Sequence, residues 1–91
     1  MSLDELRCEI DKIDEKLVSL LNQRAHCASE IGKKKNDADM PVHDRVREEE
    51  VLARVKSLNT GPVNDGNIES IYRQIISACL EVQNDKLSSD G

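Results

Sequence analysis

Arg24 places a positive charge on a stripe of apolar residues in the N-terminal third of the chain. Positions 3, 10, 17, 24 and 31 and positions 6, 13, 20 and 27 share one side of a helix with a heptad pattern. Leucine, isoleucine or cysteine occupies every one of them except position 24. A guanidinium buried on such a face is costly unless its charge is compensated. Arg24 therefore requires either a carboxylate inside the fold or an anionic ligand.

Other polar residues also lie on helix faces that should turn inward. Arg7 adjoins the same stripe, and Lys35 continues it by one turn beyond its last apolar member. Further along the chain, the inward positions include Arg47, Glu48 and Gln83. Because several polar groups converge on inward faces, the sequence favours the anionic ligand for Arg24.

The spacing along the first helix separates two kinds of contact. Lys35 lies 11 residues after Arg24, or roughly 16 Å along one face, which leaves a gap for a small dianion. Arg7 lies 17 residues before Arg24, roughly 25 Å away, and cannot reach the same ligand within one chain. In an antiparallel dimer Arg7 could enter the partner's site. The pattern therefore indicates two equivalent sites, each built from both chains.

Each of these positions also has a purely structural interpretation. Arg24 would form an internal salt bridge with Glu48 or Asp44, and Cys79 would be a small core residue. Arg7 would be a solvated flank of the stripe, and Lys35 would complement the C-terminus of the first helix. Arg47 would belong to an ordinary charged helix start, and Gln83 would be a frayed terminal residue.

The composition argues against several classes of protein. The 91 residues carry a net charge of −5 and one aromatic residue, so the basic patch and stacking aromatics of a nucleic-acid binder are missing. We expect neither a membrane partner nor a signal peptide, since no apolar run approaches the roughly 20 residues that span a bilayer. Cys8, Cys27 and Cys79 are an odd set without metal-ligand spacing. They indicate reduced thiols in a cytoplasmic protein rather than a disulfide scaffold or a metal site.

Three helices must position these residues, and the predicted fold class is all-α. The long amphipathic stretches predict helices with approximate bounds 3–35, 45–58 and 65–84. Asp44 is the predicted N-cap of the second helix, and Asn64 or Asp65 is that of the third. A polar loop over residues 36–43 joins the first two helices.

The first predicted helix is too long for a small single-chain domain. Its 33 residues span roughly 50 Å, whereas a compact domain of this size has a radius of gyration of only about 12 Å. The apolar stripe continues to Ile31, so both ends of the helix need cover, and a second copy of the chain is the simplest cover. We predict an intertwined homodimeric helical bundle over residues 3–84, followed at 85–91 by a disordered tail or the start of a linker.

Residues 3–84, almost the whole chain, resemble the all-helical (AroQ-class) chorismate mutases. The resemblance rests on Ile75 to Gln83 and on six shorter segments: LR (6–7), IDKID (10–14), LLNQR (20–24), IGKKK (31–35), PVHD (41–44) and RE (47–48). It implies an intertwined dimer of three-helix chains that isomerises chorismate to prephenate, in the branch that leads to phenylalanine and tyrosine. This intramolecular Claisen rearrangement requires no nucleophile, metal or cofactor.

The resemblance also implies catalytic and binding roles. Arg24 and the partner's Arg7 would clamp the two substrate carboxylates, with Arg47 supporting the site. Lys35 and Gln83 would donate hydrogen bonds to the ether oxygen, where negative charge grows in the transition state.

Three further positions have implied contacts with the substrate. Glu48 would accept a hydrogen bond from the ring hydroxyl, aided by the backbone near Asp44. Cys79 stands where the family usually has a serine that helps to hold a substrate carboxylate. Since a thiol is a weaker donor than a hydroxyl, this contact departs from the family pattern.

Other functions remain open at this level. A related isochorismate pyruvate lyase uses the same fold, and a non-catalytic regulatory or dimerisation domain that binds shikimate-pathway metabolites is a second alternative. A structural helical bundle with a salt-bridged Arg24 is a third. The family is often fused to prephenate dehydratase or dehydrogenase, so the chain is either free-standing or the mutase domain of a longer protein.

Overall fold

The computed structural model describes residues 1–37 and 44–89, with side chains up to residue 83 except that of residue 36. Its elements are helices α1 (Leu3–Asp37), α2 (Arg45–Leu58) and α3 (Asp65–Ser89). This arrangement confirms the all-α prediction of one long and two shorter helices. The predicted loop falls largely on residues 38–43, which lie outside the described residues.

The C-terminal end of α3 differs from the prediction. The helix continues to Ser89 rather than ending near Asn84, so residues 85–89 have helical backbone where a tail or linker was expected. The physical reason is that no glycine or proline interrupts the sequence between position 67 and position 90. Residues 90 and 91 lie outside the described part of the chain.

Side-chain caps fix where the second and third helices begin. The Asp44 carboxylate accepts a hydrogen bond from the backbone N–H of Arg47 at 3.0 Å, which confirms Asp44 as the N-cap of α2. Asn64 Oδ1 accepts from the N–H of Asn67 at 2.8 Å. Asn64 is therefore the N-cap of α3, and Asp65 is its first helical residue.

The turn between α2 and α3 is held by one amide and one ion pair. Asn59 Oδ1 accepts from the N–H of Gly61, whose φ of 81° suits glycine, and Asn59 Nδ2 donates to the Val63 carbonyl. One turn back from this corner, Lys56 Nζ lies 2.7 Å from Glu69 Oε1 and links the two helices. These contacts stabilise the turn that places α3 beside α2.

Helix α3 packs against both other helices. The contacts from Arg24 to Cys79 and from Ala28 to Gln83 advance in the same sense along α1 and α3, so these two helices run parallel. Leu52 of α2, which is 1% exposed, is the most deeply buried apolar side chain among the described residues. Cys79, in the second half of α3, is the other buried apolar side chain in this described part of the chain. The core therefore lies between α2 and the second half of α3, beside the polar residues discussed below.

The N-terminal half of α1 extends beyond this core. The molecule measures 54 × 27 × 14 Å, and its long dimension agrees with a 35-residue helix of roughly 52 Å. Apolar residues of the heptad stripe are about half exposed there, including Leu6 at 46%, Ile10 at 56% and Leu17 at 50%. Within residues 1–37 and 44–89, no helix combines the length and the apolar character of a membrane span.

Candidate active site

A cavity of about 280 Å³ opens between the second half of α1, the start of α2 and the second half of α3. The structure brings together seven of the eight site residues predicted from the sequence, all of which line this cavity: Arg24, Lys35, Asp44, Arg47, Glu48, Cys79 and Gln83. Arg7, the eighth, is exposed near the far end of α1 and does not line the cavity. One chain therefore assembles the whole predicted set except Arg7.

The positions on α1 follow helix geometry. Arg24, Ala28, Ile31 and Lys35 are separated by four, three and four residues, the spacing that keeps side chains on one face at 3.6 residues per turn. This face presents one cation at each end of the cavity and small or apolar side chains between them.

Arg24 is directed at α3. Its Nη1 donates to Sγ of Cys79 at 3.2 Å, and Cys79 is 5% exposed. Across the residues that the structure describes, Arg24 forms no ion pair, so the salt bridge to Glu48 or Asp44 is not formed there. The charge of Arg24 thus meets a thiol rather than a carboxylate. An anionic ligand would supply the counter-charge that no described carboxylate gives to Arg24.

Lys35 and Asp44 join the end of α1 to the start of α2. Lys35 Nζ lies 3.9 Å from Asp44 Oδ2, and the two side chains are 20% and 47% exposed. That separation exceeds the roughly 2.7–2.9 Å of a short charge-assisted hydrogen bond. An ammonium has three N–H donors, so a ligand can be bound beside the contacts that Lys35 already makes.

The first turn of α2 contributes one cation and one carboxylate. Arg47 is largely exposed at the cavity rim, and its Nη1 lies 3.4 Å from Glu50 Oε2. Glu48 is partly buried on the side that faces the cavity. The cavity is therefore lined by three cationic side chains (Arg24, Lys35 and Arg47) and two anionic ones (Asp44 and Glu48). This excess of positive charge favours an anion.

Gln83 is the most deeply placed polar amide of the site. It is 5% exposed, and its Nε2 donates to the Ala28 carbonyl at 2.7 Å. Since a carbonyl oxygen can only accept, the NH₂ group rather than the oxygen of the amide must face Ala28. Gln83 is thus a donor held inside the fold, and its interpretation as a frayed terminal residue is wrong.

The sequence analysis did not predict the apolar residues that line the cavity, nor a role for the backbone carbonyl of Ala28. The lining residues that were not predicted as site residues are Cys27, Ala28, Ile31, Val51, Ile76 and Leu80. Each lies three or four residues from a predicted site residue on the same helix, so helical spacing could have indicated that it lines the cavity. The Ala28 carbonyl had no such signal, because its role comes from the backbone rather than from residue type.

The side chains of the site offer anion binding and hydrogen-bond donation. In the described ranges, no group of three or more His, Cys, Asp or Glu side chains is arranged to hold a metal ion. The groups in the cavity can hold a dicarboxylate and stabilise negative charge between Lys35 and Gln83.

Comparisons with known proteins agree with this arrangement. The model of the family described as chorismate mutase type II matches residues 6–84. The bifunctional chorismate mutase/prephenate dehydratase of Aquifex aeolicus is 44% identical over 85 residues, which cover 89% of this chain and 24% of that protein. The chain spans about a quarter of the length of this and similar bifunctional relatives.

Two solved structures have the same fold. Form II of the chorismate mutase from Thermus thermophilus has a TM-score of 0.88 and 32% sequence identity, covering 90% of this chain and 93% of that one. The chorismate mutase from Helicobacter pylori in complex with prephenate has a TM-score of 0.87 and 28% identity, covering 94% and 93%. With the family match across nearly its whole length, the chain belongs to the type II chorismate mutases.

Proposed function

We propose that this chain rearranges chorismate to prephenate, an isomerase step in phenylalanine and tyrosine biosynthesis. The single observation that carries the proposal is the cavity itself. Arg24, Lys35 and Gln83 all line it, and its cationic side chains outnumber its anionic ones. The Helicobacter pylori relative, whose fold is the same, binds prephenate in its crystal structure.

The reaction breaks a C–O bond while a C–C bond forms within one molecule. The protein has to hold the enolpyruvyl arm folded over the ring and to stabilise the charge that grows on the ether oxygen. Arg24 binds a substrate carboxylate, because a planar guanidinium can donate two parallel hydrogen bonds to the two carboxylate oxygens. Lys35 of α1 and Gln83 of α3, which both line the cavity, donate to the ether oxygen.

The remaining residues of the cavity position the substrate. Glu48 accepts a hydrogen bond from the ring hydroxyl, together with the backbone at Asp44, and Arg47 adds positive charge at the rim. Cys79 lies beside Arg24, where its thiol contacts the same carboxylate weakly.

A second copy of the chain completes the site in this proposal. The apolar stripe on the N-terminal half of α1 is about half exposed in one chain. Full burial of a leucine or isoleucine contributes about 1.5–3 kcal/mol relative to full exposure, so covering the exposed half of each side chain contributes roughly half of that. An intertwined homodimer covers the stripe and brings the partner's Arg7 to the second substrate carboxylate.

We propose a cytoplasmic location, which suits the three free thiols of Cys8, Cys27 and Cys79. The Aquifex relative is a fusion with prephenate dehydratase. The mass of the full-length product in cell extracts distinguishes a fused from a free-standing protein.

The test is to incubate the purified protein with chorismate, follow the loss of its absorbance and identify the products by chromatography. Prephenate is the expected product. In a separate incubation with isochorismate, release of pyruvate and salicylate would instead indicate the lyase. Binding of chorismate without any product would indicate a regulatory domain.

A further inference from the structure

Gly32 lies on the buried side of α1, against Gln83. A Cβ atom built on Gly32 would be 2.7 Å from Gln83 Cγ, 3.2 Å from Nε2 and 3.3 Å from Cδ. All three of these nearest atoms belong to Gln83. A separation of 2.7 Å is shorter than real Cβ contacts allow, so any side chain at position 32 must displace Gln83.

The backbone at position 32 does not itself require glycine. Gly32 is inside a regular helix and does not have the positive φ of Gly61. In a helix interior, glycine is less favourable than alanine. What glycine supplies at this position is therefore space for the neighbouring side chain.

The same turn of α1 also orients the amide of Gln83. The Ala28 carbonyl, which accepts the helical hydrogen bond from the N–H of residue 32, also accepts from Gln83 Nε2 at 2.7 Å. One amide hydrogen is used in this contact, and the second is left as a donor for a ligand in the cavity.

We infer that Gly32 is a positioning residue for Gln83: its missing side chain lets the amide lie on the Ala28–Gly32 turn with an N–H donor presented to the cavity. The catalytic consequence rests on the proposed mutase function, whereas the contact itself does not. If Gln83 donates to the ether oxygen, displacing it weakens an interaction that strengthens only in the transition state.

The test begins with the variant Gly32→Ala. We expect kcat for chorismate to fall at least about tenfold and KM to stay within about threefold, because Arg24 still binds the substrate. Gly66→Ala is the matched control. It makes the same change within a helix, but its new Cβ would lie at an ordinary 3.4 Å from Asn64 Oδ1, and kinetics should not change.

A double-mutant cycle with Gln83→Ala separates positioning from general damage. Removal of the Gln83 side chain also removes the atom that the new Cβ would meet. Gly32→Ala should therefore cause no further loss of kcat in the Gln83→Ala background. An equal loss in both backgrounds, or wild-type kcat in Gly32→Ala alone, would overturn the inference.

Thermal unfolding at one fixed protein concentration repeats the cycle without using activity. Gly32→Ala should lower the unfolding temperature when Gln83 is present and raise it in the Gln83→Ala background, where only the higher helix propensity of alanine remains. If Gly32→Ala does not fold, the double variant Gly32→Ala/Gln83→Ala decides the question. Folding of the double variant supports the contact, and its failure to fold refutes the contact. Absence of turnover in the wild type would refute the mutase proposal alone.

Discussion

The guanidinium of Arg24 donates to the thiol sulfur of Cys79 across the space between α1 and α3, with 3.2 Å between Nη1 and Sγ. Both residues line the cavity, and Cys79 is almost fully buried. The thiol thus shares with Arg24 the end of the cavity that we propose binds a substrate carboxylate.

Replacing this thiol by a hydroxyl should improve the proposed site. We expect Cys79→Ser to raise kcat/KM for chorismate severalfold, since a hydroxyl donates a stronger hydrogen bond to a carboxylate and one net bond is worth about 1 kcal/mol. Cys79→Ala should lower kcat/KM. Steady-state kinetics measure both, with Cys8→Ser as the control because Cys8 is exposed and outside the cavity lining. A lower kcat/KM in Cys79→Ser than in the wild type would contradict this role.

Arg24→Ala should abolish most activity and preserve the fold. We expect kcat/KM to fall by about two to three orders of magnitude, since a charged clamp on the substrate is lost. Arg24 has no ion pair within the described residues, so its removal leaves no carboxylate unpaired there. The free energy of unfolding should therefore change by less than about 1 kcal/mol.

Two further variants sharpen this measurement. Arg24→Lys should recover only part of the activity, because an ammonium cannot bind a carboxylate in the bidentate manner of a guanidinium. Arg54→Ala, which removes an exposed arginine of α2 outside the cavity lining, should have wild-type kinetics. Loss of the helical circular dichroism signal in Arg24→Ala would mean that Arg24 has a structural role instead.

The sequence predicted the helices and most of the site because both depend on local rules. A 3.6-residue period brings Arg24 and Lys35 to one face, and the capping preference of Asp44 begins α2 near Arg47 and Glu48. Identity of the side chain and helical spacing were sufficient for these residues.

Other features depend on tertiary packing and could not be predicted. The pairing of Gln83 with the Ala28 carbonyl requires the parallel approach of α1 and α3, which no local pattern specifies. The same applies to the contact of Gly32 with Gln83. The end of α3 was misplaced because a polar composition was taken as a tail, although residues 85–89 can continue the helix.

Mixing two inactive variants tests whether each site uses both chains. Arg7→Ala and Arg24→Ala should each be inactive alone. In a hybrid dimer, one site is formed by the intact Arg24 of one chain and the intact Arg7 of the other, while the second site lacks both. Random exchange should therefore restore about a quarter of the wild-type activity.

Subunit exchange has to be demonstrated independently in that experiment, for example by mass spectrometry of differently labelled chains. Hybrid dimers that form without any recovered activity would exclude the shared site. Recovery well above a quarter would mean that Arg7 is not needed in every active site.

The ion pair between Lys56 and Glu69 should make stability depend on pH at both extremes. The hydrogen bond and the charge of Lys56 lower the pKa of Glu69 below its ordinary 4.5, and the same pair raises the pKa of Lys56 above 10.5. Stabilisation from Glu69 is therefore present above pH 4.5 and is lost as the pH falls through its lowered pKa. Stabilisation from Lys56 is present below pH 10.5 and is lost as the pH rises through its raised pKa.

Glu69→Gln tests this pair. The variant should have a lower unfolding temperature than the wild type at neutral pH. The difference should shrink below pH 4.5 and vanish only once the pH is below the lowered pKa of Glu69. Glu81→Gln, which removes an exposed carboxylate of the same helix, is the control. A difference that persists unchanged into acid would show that the ion pair is not its cause. Neither change should alter kcat, since both residues lie outside the cavity lining.

The amide of Gln83 should make the activity insensitive to pH. An amide does not titrate, so kcat/KM is expected to be roughly flat from about pH 5 to 8, between the ordinary pKa ranges of carboxylates and lysines. A steep loss above about pH 6 in the wild type would contradict the assignment of Gln83 as the ether-oxygen donor.

Gln83→Glu should convert this flat profile into an acid-dependent one. A carboxylate can donate neither to the ether oxygen nor to the Ala28 carbonyl, which lies 2.7 Å from Nε2 in the wild type. Either contact requires the protonated carboxyl, which has a single O–H to donate, so burial and these acceptors should raise its pKa. We expect the variant to lose at least about two orders of magnitude in kcat at neutral pH and to regain activity as the pH falls. Gln74→Glu, an equal change at an exposed position of α3, should keep the flat profile. If the Gln83→Glu profile were also flat, the amide would only position the substrate, and Lys35 would be the sole donor to the ether oxygen.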